Sequence, residues 1–202
     1  MSGCKTGLPG GTTGNKNNPS NKKMLEALIT SKTRIKLMLK FFLNINSTGY
    51  LRGLEPEFNE STNAIRMELN RFEAAGLLKT VLNGNKKIYR ANTKHPLFKD
   101  INSLVRKYIG IDELVDNVIQ NLGELQSIYL IGDLAAGIDS KDIGILVIGD
   151  AVDLDYLGTL CQKAQELISR KIRYAVFTVE EFKQQLPVLN KAQLLLVWKN
   201  ED

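Results

Sequence analysis

Between Ser61 and Gly76 the apolar positions recur with a helical period, Ile65, Leu69 and Phe72 standing at i, i+4 and i+7. Ser61 is placed to cap this helix and Gly76 to stop it. Leu77 to Val81 and Lys86 to Arg90 then read as two strands joined at the hairpin signal Asn83-Gly84. Upstream, Ile35, Met38, Leu39 and Phe42 give one face of a helix from Ser31 to Leu43. Asn44 to Gly49 reads as a polar loop, and Tyr50 to Phe58 as a second helix with Leu51, Leu54 and Phe58 inward. Pro56 lacks an amide proton, so the regular part of that helix is expected to start late, near Glu55. Asn59-Glu60 is left as the short turn before Ser61.

His95-Pro96 marks a break, because the residue before proline is biased out of helix, and His95 reads as a surface or capping residue. A helix from Leu97 to Tyr108 should bury Ile101, Leu104, Val105 and Tyr108. Another, capped by Asp112, carries Leu114, Val115, Val118, Ile119 and Leu122. That stripe is broad for a lone surface helix, so it is expected to pack on a second domain, on a partner subunit or on both. From Ser127 the period changes. SIYLI (127–131), IGILVIG (143–149) and IRYAVF (172–177) read as strands, and Tyr156 to Ile168 as an amphipathic helix. Thr178 with Glu181 has the spacing of a capping box. Gln193 to Trp198 fits a strand or a helix equally. Alternation of this kind predicts a small α/β domain with a partly parallel sheet, and an α+β chain as a whole. The expected boundaries are a disordered tail at 1–22, a first domain at 23–96, a helical linker at 97–123 and a second domain at 124–202.

Charge separates the same two halves. Residues 22–110 hold 17 Lys and Arg against 7 Asp and Glu, whereas residues 111–202 hold 8 against 15. A basic first half suits a phosphate-bearing partner, and an acidic second half implies a different task. Cys4 and Cys161 are too few and too distant for a disulfide framework or a zinc cluster. Without an apolar run of membrane-spanning length or a secretory h-region, a soluble cytoplasmic protein is expected.

On a helical wheel the face opposite Ile65, Leu69 and Phe72 carries Asn63, Arg66, Met67 and Asn70. A helix with that polar face, followed by a basic hairpin, suits a major groove beside a phosphate backbone. It reads as the recognition helix and wing of a winged helix-turn-helix. The stretch YLRGLEPEFNESTNAIRMELNRFEAAGLLK resembles winged-helix regulators of the arsenic-repressor (ArsR) type, in which a Ser-capped recognition helix ends in L-x-x-L-E-x-A-G-L-L. Leu69, Phe72, Glu73, Ala75, Gly76, Leu77 and Leu78 occupy the end of that pattern. The resemblance implies double-stranded DNA as partner, with Ser61, Thr62, Asn63, Arg66 and Asn70 near bases or phosphates. Lys86, Lys87 and Arg90 would hold the backbone. Metal sensing is not implied, since this stretch has no Cys and only His95. A homodimer is expected, with the helix Asp112–Leu122 near the interface.

IYLIGDLAAGIDSKDIGILVIGD resembles the core of small bacterial nucleotidyltransferases, whose pattern is strand, Gly-Ser, a helix, then D-S-D-x-D entering the next strand. In that family the Gly-Ser turn holds a triphosphate through backbone amides, and paired Asp residues hold two Mg²⁺. Here Gly132 is kept, Asp133 replaces the serine, Ala136 the arginine, and Gly144 the second metal-binding Asp; Asp142 alone matches. The strand for a third carboxylate reads Lys171-Ile172-Arg173-Tyr174. The expectation is a vestigial nucleotide site at Gly132, Asp133 and Asp142, with no catalytic residues, no metal, no cofactor and no enzyme activity. The chain then reads as a transcriptional regulator whose second domain serves dimerisation or the sensing of a small-molecule or protein effector. Two rivals remain: an active nucleotidyltransferase whose winged helix recruits substrate, and an adaptor that binds protein rather than DNA.

Overall fold

The computed structural model describes Ala27 and residues 29–122, 124–168 and 170–200. The tail expected at 1–22, with Cys4, lies outside these residues. Helix α1 spans Lys32–Met38, and the Ser31 hydroxyl caps it by accepting from the Arg34 amide at 3.2 Å. It runs on as a widened π-helical turn, Leu39–Leu43, whose five residues are all buried. Strand β1 is only Thr48–Gly49. Helix α2 covers Leu51–Phe58 and α3 covers Thr62–Ala74, with Asn59 between them in the left-handed region at φ 50°. The hairpin β2 (Leu78–Asn83) and β3 (Lys86–Ala91) closes a three-stranded antiparallel sheet in the order β1-β3-β2.

Three expectations change here. β1 falls in the supposed polar loop and becomes a strand because Thr48 and Gly49 pair with Arg90 and Tyr89. Helix α2 starts at Leu51 with Pro56 inside it. The proline removes one intrahelical bond, which a short helix anchored by buried Leu54 and Phe58 accommodates. The hairpin turns one residue later than expected, at Gly84-Asn85, with Asn83 opposite Lys86 and Gly84 at φ 56°.

Two linked helices follow, α4 (Phe98–Ile109) and α5 (Ile111–Asn121), with Gly110 at φ 78° between them. A Cβ on Gly110 would come within 2.5 Å of Ile168 Cγ2, so backbone angle and space both demand glycine. Asp112 is not a cap; Gly110 holds that position, and the Asp112 carboxylate accepts from Arg106 Nε at 2.6 Å. Leu104, expected inward, is exposed. Leu114, Val115, Val118 and Leu122 are buried within the single chain, and Ile119 packs against them. The stripe is therefore intramolecular core, which removes the argument that placed a homodimer interface on this helix.

The second sheet contains β4 (Ser127–Ile131), β5 (Asp142–Ile148), β6 (Lys171–Phe177) and β7 (Leu194–Lys199) in the order β6-β5-β4-β7. β5 and β6 are parallel and are joined through α6 (Leu154–Ile168); the other pairings are antiparallel. The ambiguous C-terminal run is thus a strand, stabilised by its pairing with β4. Helix α7 (Val179–Gln185) starts at the expected Thr178–Glu181 capping box. The whole is a mixed α+β fold with two sheets, and its buried side chains form a continuous cluster from Ile35 to Ile172. Among the described residues no helix is long and apolar enough to cross a membrane.

Candidate functional site

The outward face of α3 follows from its inward one. Ile65, Leu69 and Phe72 are buried, the Ser61 hydroxyl accepts from the Ala64 amide at 3.2 Å, and Asn63, Arg66, Met67 and Asn70 are consequently exposed. The end of the helix is closed by Gly76 at φ 72° and by a bond from the Leu77 amide to the Phe72 carbonyl. Two of the residues expected to face a ligand have internal duties. Ser61 is the cap, and Thr62 donates its hydroxyl hydrogen to Glu55 at 2.8 Å. Glu68 lies on the buried face and accepts from Ser31, Arg34 and Arg71.

The hairpin cations separate in the same way. Lys86 stands 4.6 Å from the centre of the Tyr50 ring, a cation–π distance. Lys87 instead forms an ion pair of 2.7 Å with Glu73 of α3, and Thr80 on the opposite strand donates to the same carboxylate at 3.1 Å. The hydrogen bond from Lys87 holds the Glu73 carboxyl below the usual carboxylate range, and Glu73 raises the Lys87 ammonium in return. Arg90 is exposed and sits opposite Lys79 on β2 and Thr48 on β1. Between α2, α3 and the hairpin lies an open cleft of about 620 Å³ lined by Tyr50, Arg52, Arg66, Asn70 and Lys86 among others. Arg52 went unnoticed in the sequence because only the tertiary position of α2 brings it to this cleft.

At the second sheet, Gly132 ends β4 at φ 77° and the exposed Asp133 follows it. Asp142 opens β5 and accepts from Arg173 of the neighbouring strand at 2.7 Å. Gly144 lies opposite Ile131, and a Cβ there would meet the Ile131 carbonyl oxygen at 2.9 Å. A carboxylate at position 144 would therefore require β4 and β5 to shift at Ile131. Asp139 is paired with the buried Arg170 at 3.1 Å, and Arg170 also donates to the Ser140 carbonyl. Among the described residues no three His, Cys, Asp or Glu side chains come together as a metal site. The donor set does not fit the two Mg²⁺ of the resembled family.

The same turn joins the two halves of the chain. The Asn44 amide donates to the Ala135 carbonyl at 2.8 Å, and Lys40 Nζ to the Ala136 carbonyl at 3.2 Å. Lys40 is also ion-paired with Glu57 of α2 at 2.8 Å. Gly137 packs its α-carbon on the π-helical turn so closely that a Cβ would lie 2.6 Å from Lys40 Cα. The stretch from Leu134 to Gly137 is thus seated on α1's continuation, with the Ala135 and Ala136 carbonyls engaged by it. His95 Nδ1 accepts from the Leu97 amide at 3.1 Å, but Leu97 itself is the N-cap of α4 and no side chain caps that helix, so His95 is not its cap.

No protein-family model matches this chain, so the ArsR-type resemblance has no support from one, and no curated protein matches it. Solved structures to which it is similar include a mutant of the toxin–antitoxin MntA-HpeT, at 21% identity and a TM-score of 0.36, covering 46% of this chain and 74% of that one. A toxin–antitoxin structure with AMP-PNP overlaps at 20% identity and a TM-score of 0.36, over 46% of this chain and 75% of the other. These overlaps are partial and loose. The expectation that the chain is not an enzyme is corrected against these neighbours, one of which is described with AMP-PNP.

Proposed function

We propose that residues 23–96 are a winged helix-turn-helix that binds double-stranded DNA, and that the chain is a transcriptional regulator with a nucleotidyltransferase-like second domain at 124–202. The cleft between α3 and the hairpin carries this reading, because it gathers Arg52, Arg66 and Lys86 beside the exposed amide Asn70, while Asn63 is exposed elsewhere on α3. Side chains of this kind serve two tasks on a duplex. Arg66 on the outward face of α3 can make a bidentate contact to a base edge, while Lys86, Arg90 and Arg52 suit phosphate oxygens. The test is selection of bound duplexes by the purified protein, followed by titration at several salt concentrations. Arg66→Ala should relax sequence preference at one position, at a cost of about 1–3 kcal/mol. Lys86→Ala should weaken all sequences alike and lower the salt slope by about 1. Salt-insensitive behaviour with no selected sequence would refute the reading and favour a protein-binding adaptor.

A second reading gives the sheet domain chemistry of its own, as a nucleotidyltransferase whose N-terminal unit recruits substrate. It is favoured by the placement of the Asp142 carboxylate and the Gly132 turn at the same end of adjacent strands. Pyrophosphate release from a nucleoside triphosphate with Mg²⁺ or Mn²⁺, abolished by Asp142→Ala, would establish it. Absence of release with nucleic-acid and protein acceptors alike would remove it.

A further inference from the structure

Lys86 and Lys87 are neighbours at the start of β3, yet they engage different partners. Lys86 leans over Tyr50, at the start of α2. Lys87 reaches the last turn of α3, where Glu73 receives it at 2.7 Å, and Lys87 also lies 5.4 Å from the Tyr89 ring. Glu73 holds both strands of the hairpin at once, since Thr80 of β2 donates to Oε1 while Lys87 of β3 donates to Oε2. The side chains involved are part-exposed, so the clasp spans the hairpin's junction with the helix rather than the core.

We infer that Glu73 is a positioning residue that straps the hairpin to α3, and that Lys87 belongs to this strap rather than to the DNA backbone contacts. Beyond the pairing of β1 with Tyr89 and Arg90 the hairpin is a two-stranded ribbon, which has little stability by itself, so contacts with the helix near that root help to set its angle. The carboxylate that grips both strands helps to fix where the hairpin, and Lys86 with it, stands relative to α3. The consequence for affinity rests on the DNA-binding reading; the strap itself does not.

The sign of one substitution separates strap from charge. Glu73→Gln removes a negative charge from the proposed DNA face, and on charge alone it would tighten binding to any duplex. If Glu73 positions the hairpin, the same change weakens binding. The experiment titrates a labelled random-sequence duplex with the full chain carrying Glu73→Gln, Lys87→Met or both, and follows amide hydrogen exchange in β2 and β3. Expected is roughly a two- to fivefold loss of affinity for either variant. The double variant should be no worse than either single one, the salt slope of Lys87→Met should match the parent's, and exchange in the hairpin should quicken. Tighter binding by Glu73→Gln, with a salt slope lowered by about 1 in Lys87→Met, would overturn the inference and return Lys87 to the phosphate contacts. A parent chain that binds no duplex would defeat the DNA reading alone. Hairpin exchange unchanged by Glu73→Gln would then overturn the strap.

Discussion

Glu68 offers the sharpest test of how the N-terminal unit is held together. It is 5% exposed on the inward face of α3, and four hydrogen bonds converge on its carboxylate. Ser31 donates at 3.0 Å, Arg34 at 2.9 and 3.2 Å, and Arg71 at 3.0 Å, so the cap of α1 is tied to α3 through this one side chain. Glu68→Ala removes the acceptor but leaves two guanidinium groups that are 36% and 56% exposed and can return to water. The loss should therefore fall below the roughly 3–5 kcal/mol of a fully buried broken pair. It should exceed one ordinary hydrogen bond, giving about 2–3 kcal/mol at neutral pH. Burial by itself would raise the Glu68 pKa, but hydrogen bonds from Arg34 and Ser31 and the charges of Arg34 and Arg71 outweigh it, leaving the carboxyl below its usual value of 4.5. A depressed folded-state value stabilises the fold above the unfolded pKa, and that stability is lost as pH falls through the folded one. The parent's advantage over Glu68→Ala should hold at neutral pH and shrink on acidification below about pH 4.5. Urea unfolding followed by far-ultraviolet circular dichroism measures it, with Trp198 fluorescence reporting the second sheet separately. Because the buried cluster runs through both halves, the two probes should shift together. A change below about 0.5 kcal/mol, or an advantage that grows in acid, would refute this account.

Gly137→Ala should unlock the junction of the two halves, because its φ of 79° and the 2.6 Å approach to Lys40 Cα oppose a side chain together. A loss of more than about 2 kcal/mol is expected in the same unfolding assay, and tolerance would show that the turn can lift off α1. Gly144→Ala should likewise destabilise by about 1–3 kcal/mol through its clash with Ile131, detected as a lowered melting temperature; a neutral result would mean β4 and β5 can separate there. Burial pushes the Cys161 thiol up to about 11, so in a Cys4→Ser background it should resist alkylation near pH 8 until urea unfolds the chain. Rapid labelling of the folded protein would contradict that burial.

Local pattern alone located most elements. The Ser61 cap, the Gly76 stop, the Thr178–Glu181 box and the inward rows of α3 and α5 depend on neighbours within one or two turns, and such signals are written in adjacent residues. The exposed row Asn63, Arg66 and Asn70 was legible for the same reason: once one face of a helix is buried, the other is determined by its period. What the sequence could not reveal depends on partners far along the chain. Thr48–Gly49 becomes a strand only beside β3, and Leu194–Lys199 only beside β4. Whether Leu114, Val115 and Val118 faced another subunit or this one was decided by the core that meets them. Lys86 and Lys87 carry the same charge at adjacent positions, and their tertiary partners, the Tyr50 ring for one and Glu73 of α3 for the other, distinguish them. Gly144 reads as a lost carboxylate in one dimension, whereas in three it is the residue that lets β5 lie against the Ile131 carbonyl. A linear pattern records which side of an element turns inward; which distant group waits there is a property of the assembled fold.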